Sequence, residues 1–289
     1  MNGILLIDKE PDWTSSDVVV KLKGVLREKR IGHAGTLDPM ATGLLTVFVG
    51  RATRAVQFAE RDAKRYRAAL RLGVVTDTQD TGGNILERKP VQITEKELEN
   101  ALRDFRGEIE QIPPMYSAIR IGGRRLYDIA RQGGTVERAP RPITIHTLEL
   151  LGREGEDWLL DVRCSKGTYI RTLCHDIGQR LGCGGCMSAL RRTEAGGFSV
   201  EDAVTIGEVQ RLKDERMVES RLLPVDSLFS RDPPCTASAG EEKRIRCGND
   251  YRTKLPDGVY RVYGESGAFL MLGRAEAGVM KTIKNYFEV

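Results

Sequence analysis

The 289 residues, 40% hydrophobic and 30% charged, suffice for one large domain, or a large one with a small companion, around a substantial core. No apolar run approaches the length needed to cross a bilayer. The net charge is only +4, yet residues 1–71 hold 13 Lys/Arg against 8 Asp/Glu, and residues 111–146 hold 6 Arg against 2 acids, so two basic regions point to a polyanionic partner.

In chain order, Gly3-Ile-Leu-Leu-Ile7 predicts a short buried strand and Asp8–Asp12 a polar turn. An apolar run of five residues closed by Asp8 and Lys9 does not make a signal peptide. A cytosolic protein is expected. Thr14 or Ser15 can cap the next segment. There Val18, Val19, Leu22, Val25 and Leu26 recur at helical spacing, with Lys21, Lys23, Arg27, Lys29 and Arg30 on the other side.

Ile31–Gly43 reads as a glycine-rich loop around one acid, Asp38, in small or apolar company. Gly32, Gly35 and Gly43 permit tight turning, and Pro39 biases Asp38 toward an extended conformation. Leu44–Val49 predicts a second buried strand, residues 51–63 a short helix, and Lys64–Leu72 a half-buried strand by its alternation. The polar cluster Thr76–Gly83 reads as a hairpin or loop edge. Thr94 and Glu97 form a capping box for a helix stopped by Gly107. Residues 111–142 mix glycine, arginine and the tyrosines 116 and 127, a composition suited to an arm closing on a phosphodiester backbone. Ile143–Leu151 and Trp158–Cys164 predict paired strands, and Tyr169–Leu181 a helix.

Arg171 falls in the first turn of that helix, where a cation opposes the dipole, so it calls for an acidic partner elsewhere in the fold. Leu190-Arg-Arg-Thr193 follows, and then a helix over about 205–217. Composition shifts to a linker at Ser230–Pro234, after which a small β-rich module is expected, with strands at Val259–Tyr263 and Phe269–Leu272. The six cysteines are no disulfide framework, and Cys183-Gly-Gly-Cys186 alone makes no zinc site.

These motifs together resemble the TruB-type tRNA pseudouridine synthases. The matches run in family order over residues 3–200: Gly3-x-x-x-x-Asp8-Lys9, Thr14-Ser15, Gly32-His33-x-Gly35-Thr36-Leu37-Asp38-Pro39-x-Ala41-Thr42-Gly43, Lys64-x-Tyr66, Thr76-Asp77-Thr78, Pro113-Pro114-x-Tyr116-Ser117-Ala118, Gly123-Arg124-x-Leu126-Tyr127, Ser165-x-Gly167-Thr168-Tyr169-Ile170-Arg171 and Leu190-Arg191-Arg192-Thr193. The resemblance implies an α+β fold: a catalytic domain at 1–230, with a largely antiparallel mixed sheet and an RNA-binding insertion at about 111–142, then a PUA-like module at 231–289. It implies isomerisation of uridine in the T-loop of tRNA, at conventional position 55. Asp38 would be the catalytic carboxylate, Arg171 its ion-pair partner, and Tyr66 the ring stacked on the uracil. Tyr169 and Leu190 would line the pocket and His33 would contact RNA near the flipped base. Lys9, Lys64, Arg124 and Arg125 would also bind substrate. tRNA is the implied partner. No metal, cofactor or obligate protein partner is implied, and a monomer is expected.

Two alternatives stay open on the residues alone. One is an RNA-binding or RNA-folding protein without catalysis, which has no need of an isolated Asp paired to Arg. The other is a metal-dependent hydrolase built on Asp38, Asp77 and Asp80.

Overall fold

The computed structural model describes residues 1–59 and 63–287. A nine-stranded sheet forms its frame. The strand Gly3–Lys9 lies at one edge, followed by Thr42–Val49, Gly185–Ala195, Lys64–Leu72, Asp157–Cys164, Arg141–Glu154 and Gly107–Gln111. Ile31–Ala34 also pairs with Thr42–Val49, and Phe198–Ser199 with Gly185–Ala195. Every pairing is antiparallel except one, where Arg191 and Arg192 run parallel to Thr42 and Gly43. The expected largely antiparallel mixed sheet is therefore present.

Helix starts follow local chemistry. The Thr14 hydroxyl accepts from the Asp17 amide while Asp17 accepts from the Thr14 amide, and the helix runs Ser15–Leu26. Its buried face, Val18, Val19, Leu22, Val25 and Leu26, packs on Ile7, Leu45, Val47 and Val209. Thr94 and Glu97 repeat the box for Glu95–Arg103. That helix ends at Asp104, before the expected stop, because Gly107 (φ +88°) instead opens an edge strand. The segment expected as a helix over 51–63 is a 3-10 turn, Gly50–Ala55, passing into Val56–Ala59. Residues 60–62 of it lie outside the described residues.

The Asp38 loop is shorter than the sequence suggests. Ile31–Ala34 is strand, registered on Thr46–Val49, so Gly32 sits in extended backbone and the irregular stretch is residues 35–41. Gly35 (φ +70°) and Gly43 (φ +95°) do the turning. Gly43 has a second constraint. A Cβ there would sit 2.3 Å from the Arg192 carbonyl oxygen, backbone that cannot step aside. Gly43→Ala is expected to destabilise the chain by roughly 1–3 kcal/mol or more, seen as a fall in Tm; an unchanged Tm would contradict this packing.

Beyond residue 230 a five-stranded sheet forms from Pro234–Thr236, Tyr251–Arg252, Gly258–Tyr263, Phe269–Glu276 and Val279–Asn285. A capped helix, Ala239–Arg246, joins it. The sheet is fixed to the larger layer by rings. Phe229 packs on Phe58, Phe269 and Tyr286 with centroids 5.6, 6.2 and 6.0 Å apart, and Arg51 donates to the Phe287 carbonyl. Among the described residues no helix is long and apolar enough to cross a membrane.

Candidate active site

Two buried side chains, Ser15 and Lys9, shape the Asp38 loop. Ser15, at the start of the first helix, accepts from the Leu37 amide at 2.9 Å. Lys9 has no exposed surface and donates to the carbonyls of Glu10, Trp13 and Pro39 at 2.9, 2.7 and 3.0 Å. The Ala41 amide closes a turn on the Asp38 carbonyl at 3.0 Å. Leu37 and Ala41 enter the apolar core with Tyr66, Ile170 and Leu190. The loop is thus anchored on both sides of Asp38, whose own side chain keeps 39% of its surface exposed.

Arg171 meets that carboxylate from the sheet's other half. Its side chain is 7% exposed. Nε donates to Asp38 Oδ2 at 2.9 Å, and Nη2 reaches Oδ1 at 3.5 Å. The same guanidinium donates to the carbonyls of Thr78 at 3.1 Å and Tyr116 at 2.8 Å. The first-turn cation flagged by the helix dipole therefore has the acidic partner it called for. A second acid adds to it: Asp80 Oδ2 lies 3.7 Å from Nε. Asp80 is held in turn by the Thr78 hydroxyl at 2.7 Å and the Gly82 amide at 3.0 Å. One guanidinium so joins the Asp38 loop, the Val74–Arg88 hairpin and the start of the 111–142 segment.

Tyr66 lies on Lys64–Leu72, registered opposite Arg192. Burial pushes its phenol above the ordinary value, and the Arg192 charge pulls it partly back. Leu190, on the neighbouring strand, is in register with Ala68. Tyr169 is the N-cap of Ile170–Arg180. Its amide donates to Gln111 Oε1 at 2.8 Å, and its carbonyl accepts from Gln111 Nε2 at 3.1 Å. Asp38, Arg171, Tyr66 and Leu190 thus share one neighbourhood, with Tyr169 at the start of the helix that carries Arg171.

The other expected contacts are placed differently. His33 is half-buried on the strand that leads into Gly35. The Lys64 amine lies 3.2 Å from where a Gly35 Cβ would be. Lys9, expected to face substrate, is instead buried behind the loop with its ammonium protons on backbone. Burial lowers its pKa from the usual lysine value, with Asp12 and Asp38 pulling it back up. Arg124 and Arg125 stand apart, exposed on a hairpin with Arg120–Ile121. Arg124 donates to Gln132, and Arg125 and Arg131 flank the Tyr127 ring.

A hydrolase on Asp38, Asp77 and Asp80 needs those acids to converge on a cation. Asp77 is turned onto the amide and side chain of Asn84, both at 2.9 Å, and Asp38 and Asp80 face Arg171. Among the described residues no group of three or more His, Cys, Asp or Glu could hold a metal ion. All six cysteines are free, and burial pushes the Cys186 thiol up to about 11.

Comparison with known proteins bears on the family of the whole chain. The sequence model of the TruB family pseudouridylate synthase N-terminal domain matches residues 23–170, and that of the tRNA pseudouridylate synthase B C-terminal domain matches 171–230. The chain belongs to the TruB family of pseudouridine synthases. Relatives named tRNA pseudouridine synthase B are 46% identical in Alkaliphilus oremlandii, over 92% of this chain and 88% of the relative, and 40% identical in Escherichia coli, over 96% and 92%. Among solved structures, an H/ACA RNP bound to a substrate RNA containing 2'-deoxyuridine shares the fold, at TM-score 0.74 and 23% identity, over 99% of this chain and 85% of that one. A Cbf5-Nop10-Gar1 complex matches at TM-score 0.74 and 25% identity, over 99% and 85%. In this TruB-family chain two buried polar residues at the site, Gln111 and Arg192, were not expected there from sequence, and a third, Asp80, was expected only as an acid of the hydrolase alternative. Asp80 had a signal, since it sits in the Thr76–Gly83 cluster. Gln111 and Arg192 had none that pointed to burial.

Proposed function

We propose that this chain isomerises uridine to pseudouridine in the T-loop of tRNA, at position 55, with Asp38 as the catalytic carboxylate. The observation that carries it is the Arg171–Asp38 pair set beside the apolar cluster that holds Tyr66 and Leu190. The relatives' shared name, tRNA pseudouridine synthase B, supplies the substrate class.

The reaction breaks the C1′–N1 bond, turns the ring and forms C1′–C5. The C5 hydrogen is lost as a proton and N1 gains one, so there is no net redox change and no cofactor is required. Asp38 enters ionised, whether it attacks as a nucleophile or takes a sugar proton. Arg171 fixes the carboxylate plane by two-pronged donation. A stacked T-loop base is out of reach, so the nucleotide must be flipped. The Tyr66 ring then offers a stacking face worth on the order of 1–3 kcal/mol. His33 and Tyr169 contact the flipped nucleotide, and Lys64 the adjoining backbone. Lys9 serves substrate indirectly, by holding the Pro39 carbonyl. The enzyme acts as a cytosolic monomer, with residues 231–289 as its PUA-like module.

The 111–142 insertion is the arm that closes on RNA. Replacing Arg124 and Arg125 together with Ala is expected to weaken tRNA binding and reduce the slope of log affinity against log salt by about 1 for each phosphate no longer neutralised. A titration of affinity at several salt concentrations checks this. An unchanged slope would remove the arm from the interface.

A further inference from the structure

Arg192 is among the largest wholly buried side chains of the protein, with 1% of its surface exposed. A buried guanidinium is costly, and an apolar residue of similar volume often gives equal or better stability. Its bonds show what it holds. Nε donates to the Leu44 carbonyl at 2.7 Å, and Nη2 to the Gly35 carbonyl at 2.8 Å. Gly35 and Leu44 are the two flanks of the Asp38 loop. The Arg192 backbone touches the same loop through its parallel pairing with Gly43. On the other side Arg192 is in register with Tyr66, and directly opposed residues of an antiparallel pair share one face of the sheet. The guanidinium also bonds the Tyr66 phenol, while its third nitrogen, Nη1, is buried with no partner at standard hydrogen-bond geometry among the described residues. It and the Lys64 amine each lie 3.2 Å from where a Gly35 Cβ would be. A buried guanidinium with a second cation nearby is a poor choice for stability alone.

We infer that Arg192 is a positioning residue that sets the Asp38 loop against the Tyr66 strand. It touches no reacting atom. It fixes the loop's two carbonyls from a strand directly hydrogen-bonded to the one that carries Tyr66. This rests on the roles proposed above for Asp38 and Tyr66.

The test is Arg192→Gln and Arg192→Lys. Three quantities are measured: the single-turnover rate of pseudouridine formation at saturating tRNA, the Kd for tRNA, and Tm. A misplacement of about 1 Å lowers rate by about 100-fold, so Arg192→Gln is expected to lose about that much at saturation while Kd stays within about threefold. Arg192→Lys keeps the charge and can reach one carbonyl, so it should recover part of the rate. Should both fail to fold, Gly35→Ala crowds the same guanidinium from the loop side and should show the same loss of rate without loss of affinity. Full rate in the folded variants, or rate and affinity falling together, would overturn the inference. A wild-type chain that binds tRNA but forms no pseudouridine would instead overturn the functional reading, and the inference with it.

Discussion

Replacing Asp38 with Asn is expected to abolish pseudouridine formation, by at least about four orders of magnitude, as loss of a group that reacts covalently or as the sole base typically does. The substitution keeps size and removes only the charge. The loop should survive it, because its anchors other than Arg171 are Lys9 on the Pro39 carbonyl, Ser15 on the Leu37 amide and Arg192 on the carbonyls of Gly35 and Leu44. None of these uses the Asp38 carboxylate. Binding of tRNA should also survive, since most of its energy comes from contacts with the phosphate backbone. Single-turnover assays beside equilibrium binding separate the two effects. Turnover within tenfold of wild type would end the assignment of Asp38.

The next largest effect is expected at Arg171. Its guanidinium serves the two oxygens of Asp38, the carbonyls of Thr78 and Tyr116, and, at longer range, Asp80. Lysine keeps the charge but has a single nitrogen and no planar fork. It cannot span those acceptors. Arg171→Lys is therefore expected to lower the rate at saturation by about 100- to 1,000-fold, in the range seen when one preorganised donor is removed. Arg171→Met should also destabilise the fold, by roughly 2 kcal/mol, because half-buried Asp38 and buried Asp80 then face each other without a cation. That is the low end of the range for a broken charge pair, since Asp38 is open to water. Denaturant melts of the two variants give the stability difference. Equal stability with reduced rate would mean that Arg171 acts on the chemistry alone.

Much of this site was legible in residues. The dipole conflict at Arg171 demanded an acid, and the acid is Asp38. A cap at Thr14 or Ser15 and the Thr94/Glu97 capping box placed two helices within a residue or two of their starts. Alternation placed Lys64–Leu72, and Asp157–Cys164 to within a residue. The central strand Gly185–Ala195 was not legible. Arg191, Arg192, Thr193 and Glu194 make half of it look like exposed surface. Their polarity is matched only in three dimensions: Arg191 by Asp8 at 2.7 Å, Arg192 by loop carbonyls, and Glu194 by Arg65 at 3.2 Å. Lys9 failed for the same reason. The resemblance assigned it to substrate, and only the fold shows three carbonyls converging on it. The helix Ala239–Arg246 did carry a signal, the Ser238/Glu241 capping box, masked by low apolar content.

The central claim is that a carboxylate-dependent substitution occurs at C5 of a tRNA uridine. It is tested most directly by release of tritium from C5 of uridine in a labelled tRNA transcript, with wild type and Asp38→Asn compared. Release of one equivalent per tRNA by the wild type and none by Asp38→Asn is the predicted result. No release by a folded wild type that binds the transcript, or equal release by both, would contradict it.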